Sequence, residues 1–321
     1  MRRVRRAVSL AAAVLLGAAL LYVSLRGIDW QEVWRTIAGA NRMTLAAVAV
    51  LACLTLFLRA LRWRLLLNGE GTVSVPSAFW ATAAGYFGNN FLPARAGELV
   101  RTHMIASRAG MQHAFVLATA VFERVADAIV LIAISALVAM TVASQPGWID
   151  GAARTFGPLG LLGALLLAVL PLLEVHIAAV VVRVPMPDSL RRTLLHAVEH
   201  TLRGMRAFHH PQRLGAFLCL TLIIWCLDAM ATVVGASALG LQMPIAAAFL
   251  LLAGLGLGSA LPSTPGYVGI YQFVAVSVLA PFGFSRTDAI AYIMVAQAMS
   301  YIVIGLCGGI GLVLYRRARP S

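Results

Sequence analysis

Long apolar runs alternate with short arginine-bearing connections along almost the whole chain. Crossing the hydrocarbon core of a bilayer takes about 20 apolar residues in a helix. Runs of that length lie at about 7–26, 43–66, 113–142, 157–182, 213–239 and 287–314, and each predicts a full transmembrane helix. Two further apolar segments, 77–109 and 245–283, are interrupted near their middles by proline and glycine. Their halves are too short to cross alone, and proline ends a helix by removing a donor and clashing with the preceding turn. They predict re-entrant, broken helical hairpins, because irregular backbone at membrane depth needs protein or a watery cavity around it. The stretch 188–210 is amphipathic and arginine-rich, which predicts a surface helix.

The two broken segments share a pattern. The first reads Gly88-Asn89-Asn90-Phe91-Leu92-Pro93-Ala94-Arg95-Ala96-Gly97, the second Gly258-Ser259-Ala260-Leu261-Pro262-Ser263-Thr264-Pro265-Gly266. Both contain Leu-Pro-x-x-x-Gly, and the two Leu-Pro pairs are 169 positions apart. The same offset carries the span before the first hairpin onto 213–239 and the span after it onto 287–314. The unit is therefore helix, broken hairpin, helix, present twice: repeat A at about 43–142 and repeat B at about 213–314. Helix 157–182 and the surface helix 188–210 link them within one integral membrane domain, 1–321. An odd number of spans between matching elements inverts the second copy, and inverted repeats with discontinuous helices characterise transporters.

Composition agrees with the pattern. Hydrophobic residues make up 61% of the 321, charged residues 12%, and the mean hydropathy is +0.88. This predicts an all-α polytopic membrane protein. All 25 basic residues are arginine, and they gather at the ends of apolar runs rather than in a patch suited to nucleic acid. Counting Arg2, Arg3, Arg5, Arg6, Arg59, Arg62, Arg64, Arg101, Arg108, Arg183, Arg191, Arg192, Arg203, Arg206, Arg213, Arg316, Arg317 and Arg319 on one side, against Arg26, Arg35, Arg42, Arg154 and Arg286 on the other, places both termini in the cytoplasm by the positive-inside rule. The implied location is a bacterial inner membrane. Cys53, Cys219, Cys226 and Cys307 each lie in an apolar run with no CxxC pair, which argues against a metal or disulfide framework.

Charges inside the apolar segments carry the chemistry. Pro93 and Gly97 end one half-helix and let another begin, and a new helix N-terminus attracts anions. Asn89, Asn90, Arg95, Glu98 and Arg101 surround that break, and Glu98 and Arg101 are spaced to pair on one face. Glu123, Arg124 and Asp127 lie within the span 113–142. A charge at a helix centre costs about 2.5–3.5 kcal/mol, so these three must pair or face a polar cavity. The two clusters read either as one head-group site or as a structural ion network. Asp228 is a lone carboxylate within 213–239; it needs an arginine or a hydroxyl as partner, or else stays protonated, and a proton-coupling role is one reading of it. Pro262, Pro265 and Gly266 break the second hairpin, and Tyr267, Tyr271 and Gln272 follow as candidates for lining the cavity's other side. His196-Ala197-Val198-Glu199-His200 matches H-x-x-E-H, but no glutamate follows to complete a zinc site, so no metal and no cofactor are expected.

Three motifs in order, Asn90 to Arg101, Glu123-Arg124-Val125-Ala126-Asp127, and Leu261 to Gly269, resemble the transmembrane domain of lysylphosphatidylglycerol synthases, the flippase-like family. The resemblance runs from about residue 10 to 315. Two positions depart from it: Gln272 stands where members often carry an acidic residue, and Gln297 near a basic one. The domain is associated in the family with moving lipids between leaflets, alone or fused to an aminoacyltransferase or glycosyltransferase. This chain stops at Ser321, so neither enzyme domain is expected. The resemblance implies a stand-alone flippase for an anionic phospholipid, a modified phospholipid or a lipid-linked glycan, without enzyme activity. Its partners would be the bilayer, the lipid substrate and a separately encoded lipid-modifying enzyme. The alternatives are a membrane enzyme acting on a lipid phosphate, with Glu98 or Asp127 as acid and base, and a non-transporting scaffold in envelope-lipid synthesis.

Overall fold

The computed structural model describes residues 15–92, 96–141, 151, 158, 162, 163, 165, 211–260 and 265–317; the side chains of 139–141, 260 and 265 are not described. The expected span 157–182, apart from four of its positions, and all of the surface helix 188–210 lie outside the described residues, as do Pro93, Arg95 and Pro262. Every described element is helical. In chain order they are α1 (Leu15–Leu25), α2 (Trp30–Ala38), α3 (Arg42–Leu67), α4 (Val75–Phe91), α5 (Gly97–Ala109), α6 (His113–Thr141), α7 (Pro211–Ala238), α8 (Ile245–Ala260), α9 (Ile270–Leu279) and α10 (Arg286–Arg317). The chain is an all-α polytopic membrane protein. By length and composition α3, α7 and α10 can each cross a membrane. α6 is equally long, at 29 residues, but carries the three charges at 123, 124 and 127.

Local signals set the ends of these helices. The Asn41 side chain caps α3, accepting from the backbone N–H groups of Met43 at 3.0 Å and Thr44 at 3.1 Å. Ser74 caps α4, with Pro76 in the first turn where a missing donor costs nothing. α2 was not foreseen as an element. Asp29 caps it through Gln31 and Glu32, and it leaves Trp30 and Trp34 exposed, as aromatic residues at a membrane interface are.

The broken segments are hairpins in fact. α4 ends at Phe91, Leu92 is extended, and the chain returns as α5. The limbs run antiparallel, with Gly85 against the Arg101 side chain and Gly88 against Gly97. A β-carbon on Gly97 would collide with the Gly85 carbonyl and come within 2.6 Å of the Asn89 nitrogen, so only glycine fits. In the second hairpin α8 ends at Ala260, a 3₁₀ turn covers Pro265–Tyr267, and α9 returns from Ile270. Gly266 takes φ 73° there, a left-handed conformation that suits a residue without a β-carbon. The limbs are again antiparallel, with Gly254 against Val278 and Gly258 against Ile270.

The packing repeats across the two halves. α3 and α7 face each other antiparallel: the Asn41 N–H donates to the Ala238 carbonyl at 2.8 Å, Arg62 donates to Thr221 at 3.1 Å, and Arg213 donates to the Asn68 carbonyl at 3.3 Å. The first limb of each hairpin packs on the last span of the other half, α4 on α10 and α8 on α6. In the first of these contacts Gly308 meets Phe87 and Ala83, and Gly311 meets Trp80, small residues that let helices approach without a hydrophobic drive from lipid. In the second, Ser135 donates to the Phe249 carbonyl at 3.2 Å. Following these directions, the hairpins enter from opposite faces. Their tips meet, the end of α4 packing on the Pro265–Tyr267 turn and Phe91 lying 5.8 Å from Tyr301.

Candidate functional site

The charges that the apolar sequence isolates converge on one network between the halves. Arg62 of α3 lies at its centre and is fully buried. It donates to Asp127 at 2.6 and 2.9 Å and to Glu123 at 2.7 Å. Arg101 of α5 donates to the other oxygen of Glu123 at 2.8 Å and to Glu98, one turn back, at 2.6 Å. Arg124 of α6 donates to Glu98 at 3.0 Å and to the Tyr86 hydroxyl at 3.1 Å. Asn89 donates to Glu98 at 3.1 Å. On the far side Arg59 pairs with Asp228 and lies 3.8 Å from Asp127. Arg124 also lies 3.9 Å from Asp127, so Glu98, Arg101, Glu123, Arg62, Asp127 and Arg124 form a closed ring, with Asn89 attached at Glu98 and Arg59 and Asp228 attached at Asp127, contributed by helices of both repeats.

Aromatic rings hold the guanidinium groups where water cannot. Arg101 lies 4.6 Å over Trp63, whose indole N–H donates to Thr119 at 3.1 Å. Arg62 lies 5.3 Å over Phe217, and Arg59 lies near Tyr86 and Trp225 at 5.8 and 5.3 Å. A buried charge without a partner is expensive, so each of these arginines needs both its carboxylate and its ring. The middle of the network is closed: Arg62, Arg101 and Glu123 have side-chain exposures of 0–1%. It is partly exposed at two places. Arg124 and Glu98 are 30% and 20% exposed beside the first break, and Asp228 and Arg59 are 18% and 12% exposed on the other side.

The second of these places faces a cavity of about 270 Å³ between α3, α7 and α10. Thr55, Arg59, Tyr86, Asp228, Thr232 and Ser300 supply its polar wall. At the first place, Asn89 Oδ1 and Asn90 Nδ2 are buried and have no hydrogen-bond partner among the described residues. Buried polar groups are normally satisfied, and these two lie next to residues 93–95, which are outside the described residues.

The expected site residues thus divide. Asn89, Glu98, Arg101, Glu123, Arg124 and Asp127 come together, with Asn90 beside them; Arg95 lies outside the described residues. Tyr267 and Tyr271 stack with ring centroids 4.9 Å apart. Gln272 turns back into its own half. It accepts from the Gly269 N–H at 2.7 Å and donates to Gln297 at 2.7 Å, and Gln297 donates to the Gly266 carbonyl at 3.0 Å. Two expectations need correction. Arg59 and Arg62 are not arginines of a membrane surface but members of the buried network, as is Arg101. Asp228 is not a lone carboxylate, because Arg59 neutralises it. Their sequence separation, 169, equals the repeat offset, so equivalent positions of the two copies touch each other. A spacing of that kind was visible in the chain, and it would have paired these two residues. Among the described residues, no three histidine, cysteine or acidic side chains group as for a metal.

Comparison with known proteins accords with this arrangement. Glycosyltransferase AglD of Haloferax volcanii is 25% identical over 348 aligned positions, which take in 97% of this chain and 55% of that protein. The chain therefore spans about half the length of that relative. The sequence profile of the lysylphosphatidylglycerol synthase transmembrane region matches residues 10–308. This match, over most of its length, places the chain in that family of transmembrane regions.

Proposed function

We propose that this protein carries the polar head group of a membrane lipid or lipid-linked glycan across the bilayer while the acyl chains stay in lipid. The observation that supports this reading is a buried ionic network that joins both repeats and is partly exposed at two places, Glu98 with Arg124 beside the first break and Arg59 with Asp228 at the cavity, with Tyr86 next to both. A head group needs polar partners where hydrocarbon offers none, and the network supplies them at the first break and at the cavity by Arg59 and Asp228. Inverted repeats whose hairpins meet suit alternate opening of those two places. Four arginines face four carboxylates in the described network, so an incoming phosphate competes with Glu98 for Arg124, and Arg95 in the break adds a further positive charge. A sugar or zwitterion instead hydrogen-bonds to Asn89, Asn90 and Tyr86. The relative named as a glycosyltransferase fits a lipid-linked glycan as cargo.

Orientation follows from charge. The face where α3, α5 and α10 end carries Arg64, Arg108, Arg213, Arg316 and Arg317 against Glu70 among the described residues. The opposite face carries Arg26, Arg35, Arg42 and Arg286 against Asp29, Glu32 and Asp288. The positive-inside rule makes the first face cytoplasmic in a bacterial inner membrane. The test is leaflet transfer of labelled phospholipids and polyprenyl-linked sugars in liposomes. Arg124→Gln removes the partly exposed cation beside the first break and lowers transfer at least tenfold while the protein still folds. Transfer at the wild-type rate by that variant overturns the reading.

A further inference from the structure

A second feature lies outside the ionic network. α5 and α10 run parallel, since each is antiparallel to α4, and near the basic face a groove of about 550 Å³ separates them. That volume is in the range of small-molecule sites. Its walls are two largely apolar helical stripes, Leu99, Val100 and Met104 with His103 on α5, after Ala96 at its N-cap, and Leu312 and Tyr315 on α10. Among the described residues no carboxylate lines it. Its inner end is Ala96, next to the first break. Its outer end is cationic: Arg316 lines it, and the Arg108 guanidinium lies 5.1 Å over the Tyr315 ring. α5 has 13 residues and so rises about 20 Å. That is close to one leaflet's share, about 15 Å, of the hydrocarbon core.

We infer that this groove is a binding site for one anionic phospholipid of the leaflet at the basic face. Its acyl chain lies along Leu99, Val100 and Leu312, and its phosphate meets Arg108 and Arg316. The walls call for hydrocarbon, because a parallel pair of apolar stripes held apart leaves a gap that water fills at a cost. The rim decides the head group. Two arginines, with no carboxylate beside them among the described residues, complement a phosphate bearing net negative charge, and arginine's fork suits its oxygens. A zwitterionic lipid offers the same chain but carries its own cation to the rim. The site is separate from the network at Glu98 and Arg124, so it stands whether or not a head group crosses there.

Native mass spectrometry of the full chain, titrated with phosphatidylglycerol or phosphatidylcholine of identical chains, tests this. The first phosphatidylglycerol binds more tightly, by about fivefold for each rim arginine. Arg108→Gln with Arg316→Gln erases that preference, and Arg35→Gln at the opposite face leaves it intact. Leu99→Trp fills the groove from an exposed position and removes the first bound lipid of either kind. Equal affinity for the two lipids, an unchanged preference in the double variant, or undiminished binding by Leu99→Trp each overturns the proposal. So does a dimer that forms with no lipid bound and is abolished by Leu99→Trp, which makes the groove an interface between copies.

Discussion

Arg62 shows what a buried charge asks of its surroundings. Its head group is fully buried; three oxygens of two carboxylates, with the Thr221 hydroxyl, accept from its two terminal nitrogens, while its Nε–H has no partner among the described residues. Removing one partner of such a set strands the others, and the usual cost is about 3–5 kcal/mol. Arg62→Leu is therefore expected to lose most of the protein's folding stability, read as a fall in the thermal midpoint in detergent. Arg124→Gln, at the partly exposed rim, is expected to lose less stability than Arg62→Leu, because solvent reaches its ion pair and glutamine keeps a donor for Glu98 or Tyr86. Equal falls for the two would contradict the gradient of burial along the network. The sequence made Glu98, Arg101, Glu123 and Asp127 legible, because charge within an apolar run is costly and announces a partner. It misplaced Arg59 and Arg62, since both lie near the end of an apolar run, where arginine ordinarily meets head groups. One helical turn decides between those two environments, and only the facing helix, with Thr221 and Asp228, resolves it.

The hairpins were legible as elements because proline and glycine interrupt runs too short to cross. Their closeness was not, since a limb-to-limb distance is a tertiary fact. At Gly97 the crossing leaves no room for a methyl group. Gly97→Ala is expected to prise α5 from α4, moving Glu98 and Arg101 off their partners, and so to reduce transfer and lower the thermal midpoint together. Gly215→Ala in α7 is the control, because nothing stands within 4 Å of the added carbon there, and alanine favours the helix. If the two substitutions behave alike, the tight crossing is not what sets the hairpin. α2 was missed for the opposite reason. Its nine residues carry too few apolar positions to cross, and its cap, Asp29, is a signal that only matters once a helix is sought there.

At the scale of the molecule the two halves share a path but not a charge. In repeat A the hairpin's returning limb is tied to the next span by an ion pair, Glu98 with Arg124. In repeat B the corresponding limb and span are tied by two neutral amides, Gln272 with Gln297 at 2.7 Å. The sequence separations match closely, 26 in one and 25 in the other. An amide pair keeps the geometry of the link while sparing the second half the desolvation of two ions. The cost of that choice is a weaker, less polar surface at the second break. If the tie is equivalent, an ion pair should also fit there. Gln272→Glu and Gln297→Arg are each expected to destabilise, because each buries one charge beside a neutral amide. Together they are expected to recover, with a coupling of about 1–3 kcal/mol in a double-mutant cycle read by chemical or thermal unfolding. Additive losses would mean that the second hairpin is tied differently from the first, and that the symmetry of the packing does not extend to the bonds that hold each hairpin to its span.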